Sequence, residues 1–125
     1  LHDRIKCTIF IERMDLAYAA ADVVISRAGA MSISELSLLG KAVVFVPLPT
    51  AAEDHQTKNA MQLVKADAAL MVKNCATEQD LLPTVFELMN DDEKQSEMKN
   101  NIATFARPNA AEDIVNQIEI ILNNK

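Results

Sequence analysis

Three short apolar runs constrain this chain more than any other feature: Val23-Val24-Ile25-Ser26, Ala42-Val43-Val44-Phe45-Val46 and Ala68-Ala69-Leu70-Met71-Val72. Each has strand length and is apolar throughout rather than alternating, the habit of parallel strands covered on both faces. Between them lie Ala30 to Leu39 and His55 to Lys65, of helix length and without Pro or Gly. The order alternates strand and helix, so the sequence predicts an α/β fold on a parallel sheet. Residues 5–10, Ile-Lys-Cys-Thr-Ile-Phe, read as a further strand, and a helix is expected over 13–20.

The last third is helical in pattern. Thr77-Glu78-Gln79-Asp80 has the form of a capping box opening a helix to about Met89, and Asp91 to Phe105 reads as a second helix. Asn109 with Glu112 begins a third, in which Ile114, Val115, Ile118, Ile121 and Leu122 form an amphipathic stripe.

With 125 residues the chain has room for one core, residues 1–125 as a single unit. Half the residues are apolar and 24% charged, which excludes a disordered chain. No apolar stretch approaches the ~20 residues of a membrane helix, and Asp3 and Arg4 follow Leu1 where a signal peptide would place its apolar core. The expectation is a soluble, cytoplasmic protein, and the leading Leu1 in place of Met points to a piece of something longer. Net charge is -6, with the basic residues scattered. Nucleic acid is therefore not an expected partner, whereas a small anionic ligand stays compatible with this charge, because helix N-termini and placed cations act locally. Cys7 and Cys75 share no CxxC spacing and no nearby His, and read as reduced thiols.

Two glycines in 125 residues, against a usual ~7%, make each one positional. Gly40 follows the helix over 30–39, where a left-handed cap wants it. Gly29 lies between the strand ending at Ser26 and that helix. There it either lets a phosphate approach the amides of Ala30, Met31 and Ser32 or serves only a tight turn. Arg27, at the same strand's carboxyl end, suits a phosphate or a structural carboxylate. Glu35, one turn into the helix, suits the hydroxyls of a ribose or a favourable charge near the helix start. After the next strand, Pro47-Leu48-Pro49 sets an extended loop, and His55, Gln56 and Asn59 share one face of the following helix. That face suits sugar hydroxyls, or it is simply a solvated helix start. Both clusters fall at the carboxyl ends of consecutive strands, on one edge of the sheet.

Three stretches together resemble the MurG family of glycosyltransferases: Arg27-Ala28-Gly29-Ala30-Met31-Ser32-Ile33-Ser34-Glu35-Leu36, Phe45-Val46-Pro47-Leu48-Pro49, and Glu53-Asp54-His55-Gln56-Thr57-Lys58-Asn59-Ala60. Phe10-Ile11-Glu12-Arg13-Met14 and Tyr18-Ala19-Ala20-Ala21-Asp22 extend the likeness over nearly the whole chain. The resemblance implies most of the C-terminal, Rossmann-like domain of a GT-B enzyme that transfers N-acetylglucosamine from UDP-N-acetylglucosamine to a lipid-linked muramoyl pentapeptide. It implies uracil against Phe10, Ile11 and Met14, diphosphate at Arg27 and the Ala30, Met31 and Ser32 amides, ribose on Glu35, and the sugar near His55 and Gln56. His55 stands where family members carry Gln, and Asp67 where Gly is common.

By the same likeness the N-terminal acceptor domain and the first two strands of this domain are absent. The piece then has no catalytic residue, no metal and no cofactor. It is expected to self-associate or to displace residues 5–10, and its parent is expected to sit peripherally on the cytoplasmic face of the inner membrane. The alternatives are another GT-B nucleotide-sugar enzyme such as a 2-epimerase, or a non-catalytic module. A receiver-like module is disfavoured because Asp22 precedes its strand.

Overall fold

A computed structural model describes residues 4–49 and 55–106 of the chain. The helix expected from Asn109 lies outside the described residues, as does the loop over 50–54.

The sheet has three parallel strands, β1 (Val23–Ser26), β2 (Ala42–Phe45) and β3 (Leu70–Met71), in the order β1-β2-β3. Val24 stands opposite Val43, and Val44 opposite Leu70. Helices α1 (Met14–Ala20), α2 (Ala30–Leu39), α3 (His55–Lys65), α4 (Leu82–Met89) and α5 (Asp92–Ala103) complete the order.

All four β2 residues are buried, because both of its faces are covered. Val43 and Phe45 pack with Leu36 of α2 and with Ala60 and Leu63 of α3, joined by Val24 and Met71 from the neighbouring strands. Ala42, Val44 and Val46 face the other way, against Val85 and Leu88 of α4 and Met98 of α5. Ile102, one turn beyond Met98, joins the first cluster, so α5 contributes to both halves of the core. This two-sided burial is why the β2 run is continuously apolar.

The strand expected over residues 5–10 is not formed. That stretch is irregular, with Ile5, Ile9 and Phe10 at 68%, 107% and 75% exposure. Its β-branched composition finds no neighbouring strand, and without a ladder propensity alone does not make a strand. The third expected strand shrinks to two residues. Ala68 and Ala69 are spent on leaving α3: Asp67 takes a φ of 54°, the Ala68 amide bonds Leu63 O at 2.9 Å and the Asp67 amide bonds Val64 O at 3.1 Å. The same paired bonds close α2, from Lys41 to Leu36 O and from Gly40 to Ser37 O, with Gly40 at φ 61°.

The capping box is also not realised. The chain is already turning at Asn74–Ala76, and Thr77 sits in helical conformation with its hydroxyl donating to Asn74 O at 3.1 Å. A wide π-type turn over Thr77–Leu81 then leads into α4. The next helix start follows the rule: Asp91 Oδ1 accepts from the Lys94 amide at 3.0 Å. Gln95, nearly buried, donates to Leu88 O and Met89 O and satisfies the end of α4. Among the described residues no helix is long and apolar enough to cross a membrane.

Candidate nucleotide site

Parallel strands deliver the loops after β1, β2 and β3 to one edge of the sheet, and the predicted polar residues gather there. Gly29 caps α2 at φ -69° and ψ 154°, a conformation open to any residue. A β-carbon built on it would meet nothing closer than Gln56 Nε2, at 3.9 Å. Neither the turn nor packing requires glycine, so the tight-turn alternative fails. The first intrahelical bond runs from the Ile33 amide to Gly29 O at 3.0 Å, and no side chain caps the helix. The amides of Ala30, Met31 and Ser32 therefore have no intrahelical acceptor and sit at the positive end of the α2 dipole.

Arg27 Nη1 donates to Asn74 Oδ1 at 2.7 Å and to Val46 O at 3.2 Å. Both acceptors are neutral. Among the described residues the one ion pair is Arg13 with Asp15, so no described carboxylate pairs with Arg27. The guanidinium lines an open groove of about 390 Å³ together with Ile25, Asn74 and Thr77.

Helix α3 fastens this turn. Gln56 Oε1 accepts from the Ala28 amide at 3.2 Å and from the Leu48 amide at 2.9 Å, while Asn59 Nδ2 donates to Ala28 O at 3.4 Å. Ala28 is fully buried, so both polar groups of its backbone depend on these two side chains. The expectation of Gln56 and Asn59 as sugar ligands is thus joined by a structural duty: one amide oxygen ties the loops after β1 and β2 together. With Oε1 committed, Gln56 presents Nε2, a pure donor, towards Gly29. His55 opens α3 and is exposed.

Glu35 lies beyond the first turn of α2, where the dipole has faded, so the helix-start reading is the weaker one. Its Oε2 accepts from the Tyr18 hydroxyl at 3.4 Å. Burial, then the charge of Glu35 and their hydrogen bond hold the Tyr18 phenol above the ordinary tyrosine range. Phe10 and Ile11 line a separate open groove of about 530 Å³ in the segment leading into α1, where Met14 is the first helical residue. Only the Tyr18 to Glu35 bond links α1 to the βα turns through side chains among the described hydrogen bonds.

Sequence reasoning missed Tyr18 and Asn74 as parts of this arrangement. The signal for Asn74 was available, since the carboxyl-edge rule that selected Arg27 and Gln56 applies equally to the exit of the third strand. Among the described residues no group of three or more His, Cys, Asp or Glu is placed to hold a metal ion.

A helix start of this kind at the carboxyl edge of a parallel, Rossmann-like sheet is the arrangement found in the nucleotide-binding class of α/β folds. Comparison with known proteins narrows the class. Residues 1–114 match the model of the glycosyltransferase family 28 C-terminal domain, and the chain belongs to that family. It is 55% identical over 119 residues to a UDP-N-acetylglucosamine--N-acetylmuramyl-(pentapeptide) pyrophosphoryl-undecaprenol N-acetylglucosamine transferase of Parabacteroides distasonis, covering 95% of this chain and 32% of the relative. A transferase of the same name from Cytophaga hutchinsonii is 51% identical over 121 residues, covering 97% and 33%. The crystal structure of Acinetobacter baumannii MurG superposes with a TM-score of 0.78 at 38% identity, over 88% of this chain and 32% of that one. The chain spans about a third of the length of these relatives. Its fold is that of the Rossmann-like C-terminal domain of a GT-B enzyme.

Proposed function

We propose that this chain is the donor-binding part of a transferase that moves N-acetylglucosamine from UDP-N-acetylglucosamine to a lipid-linked muramoyl pentapeptide. The observation that carries the reading is the start of α2: three amides without intrahelical acceptors, behind a glycine the backbone does not need. Beside them stands Arg27, whose acceptors Val46 O and Asn74 Oδ1 are both neutral. Such a set favours a diphosphate. The names of the relatives supply the sugar and the acceptor.

In this reading uracil rests against Phe10, Ile11 and Met14, ribose bonds Glu35, and the sugar lies near His55 and the Gln56 Nε2 group. The acceptor hydroxyl attacks the anomeric carbon, the bond to UDP breaks with inversion, and the charge gathers on the departing diphosphate. The α2 amides and Arg27 stabilise that charge with fixed dipoles and a permanent cation. The acceptor site and the general base belong to the part of the parent outside these 125 residues, and the parent works peripherally on the cytoplasmic face of the inner membrane. The free edge of β1, with Ile25 at 46% and Phe86 at 56% exposure, favours self-association of the piece.

Calorimetric titration with UDP-N-acetylglucosamine, UDP and ADP tests the reading. Weak, uridine-selective binding without sugar transfer is expected. Equal affinity for ADP and UDP would assign the chain to a different nucleotide-sugar enzyme, and no binding of any nucleotide would favour a non-catalytic module.

A further inference from the structure

The exits of all three strands meet at one guanidinium. Arg27 follows β1, Val46 follows β2 and Asn74 stands just beyond β3, and Nη1 of Arg27 joins the other two through Val46 O at 3.2 Å and Asn74 Oδ1 at 2.7 Å. We infer that Asn74 is a positioning residue for the donor diphosphate: its neutral amide oxygen fixes the exposed Arg27 side chain at the sheet edge without adding a negative charge. The inference rests on the reading of Arg27 as a diphosphate contact given above.

Three observations support it. Arg27 is exposed, and a long exposed side chain without a tether spreads over many rotamers. Asn74 is itself held, because it opens a tight turn whose Asn74 O accepts from the Thr77 hydroxyl at 3.1 Å, and the Val72 amide bonds Phe45 O at 2.9 Å just before it. Both bonds from Arg27 use Nη1, so the Nε and Nη2 edge of the guanidinium is the one suited to bidentate phosphate oxygens. An aspartate at position 74 would make a stronger bond but cancel the charge. An amide oxygen orients without cancelling.

The experiment measures UDP and uridine affinities of the whole 125-residue chain by NMR titration, in the parent and in Asn74→Asp, Asn74→Ala, Arg27→Ala and the Arg27→Ala/Asn74→Ala double variant. Asn74→Asp is expected to weaken UDP about tenfold or more, as a charge-assisted contact would, while uridine changes by less than about twofold. Asn74→Ala should weaken UDP several-fold in the parent background and not at all once Arg27 is gone. UDP affinities of Asn74→Asp and Asn74→Ala equal to the parent's, or an equal loss of UDP and uridine, would overturn the inference. If Asn74→Asp fails to fold, the alanine cycle decides alone. If Arg27→Ala itself keeps full UDP affinity, or the parent binds no UDP, the donor-site reading fails and the inference falls with it.

Discussion

The Tyr18 hydroxyl donates to Glu35 Oε2 at 3.4 Å, the contact that ties α1 to α2. An O–H···O bond is strongest near ~2.7 Å, so this one steers the carboxylate without saturating it. Glu35 stays exposed and keeps acceptor capacity for a diol. Glu35→Ala should therefore weaken UDP by roughly tenfold or more, the loss of one or two charge-assisted bonds. Stability should fall by no more than about 0.5 kcal/mol, as for an ordinary helix-surface residue. Parallel titration and urea melts check both halves.

The same contact gives the protein a pH dependence at its alkaline end. The Tyr18 phenol is raised by burial first, and then by Glu35. A raised acid keeps its proton longer in the folded chain than in the unfolded one. Its contribution is complete below the unfolded tyrosine value, about 10, and is lost as pH rises through the folded value. Urea melts should show the parent losing ground to Tyr18→Phe from about pH 10 upwards. A pH-independent difference between the two would mean that the phenol is not raised in the folded chain.

Gly29→Ala separates binding from folding. The backbone there is extended and the new methyl would meet Gln56 Nε2 at ordinary contact distance, so stability should stay within about 0.5 kcal/mol of the parent. UDP affinity should drop by roughly tenfold or more, because the methyl would stand where the proposed diphosphate approaches the α2 amides. Retained affinity would remove the diphosphate from this turn.

Gln56 permits a sharper dissection. Gln56→Ala leaves the buried Ala28 amide without an acceptor and should cost about 1–3 kcal/mol in chemical denaturation. Gln56→Glu keeps the acceptor and should recover most of that stability, yet it sets a carboxylate beside the proposed diphosphate and should abolish measurable UDP binding. Recovery of both properties in the Glu variant would make Gln56 purely structural.

Two helix ends with the same bonds offer a matched pair. At Gly40 an added β-carbon would meet Lys99 O at 3.8 Å, ordinary contact, so Gly40→Ala should cost about 1 kcal/mol from the left-handed backbone alone. At Asp67, with φ 54°, Asp67→Gly should gain about 0.5–1 kcal/mol by relieving the same strain. Thermal unfolding of the two variants, expected to shift in opposite directions, is the check.

Continuous apolar runs carried the sequence reading where they spoke for burial on two sides. The β2 run forms as expected because its pattern reports packing, and the stretches over 30–39 and 55–65, of helix length and without Pro or Gly, form the expected helices. Residues 5–10 misled because β-branched composition reports a willingness to pair and says nothing of a partner. Thr77 misled because a capping signature is local, whereas the preceding turn at Asn74–Ala76 had already placed it inside helical backbone. At the candidate site, strand exits located Arg27, Gly29 and Gln56. The bonds that give them their roles, from Gln56 to two loops and from Arg27 to Asn74, span 8 to 47 positions in sequence and follow no spacing rule.

The order β1-β2-β3 steps across the sheet in one direction only. A doubly wound fold opens its ligand crevice where that progression reverses, and no reversal occurs among these three strands. A crevice wall facing Arg27 and Gly29 is therefore not supplied by these three strands. A nucleotide bound as proposed would rest, among the described residues, on a shelf and not in a cleft.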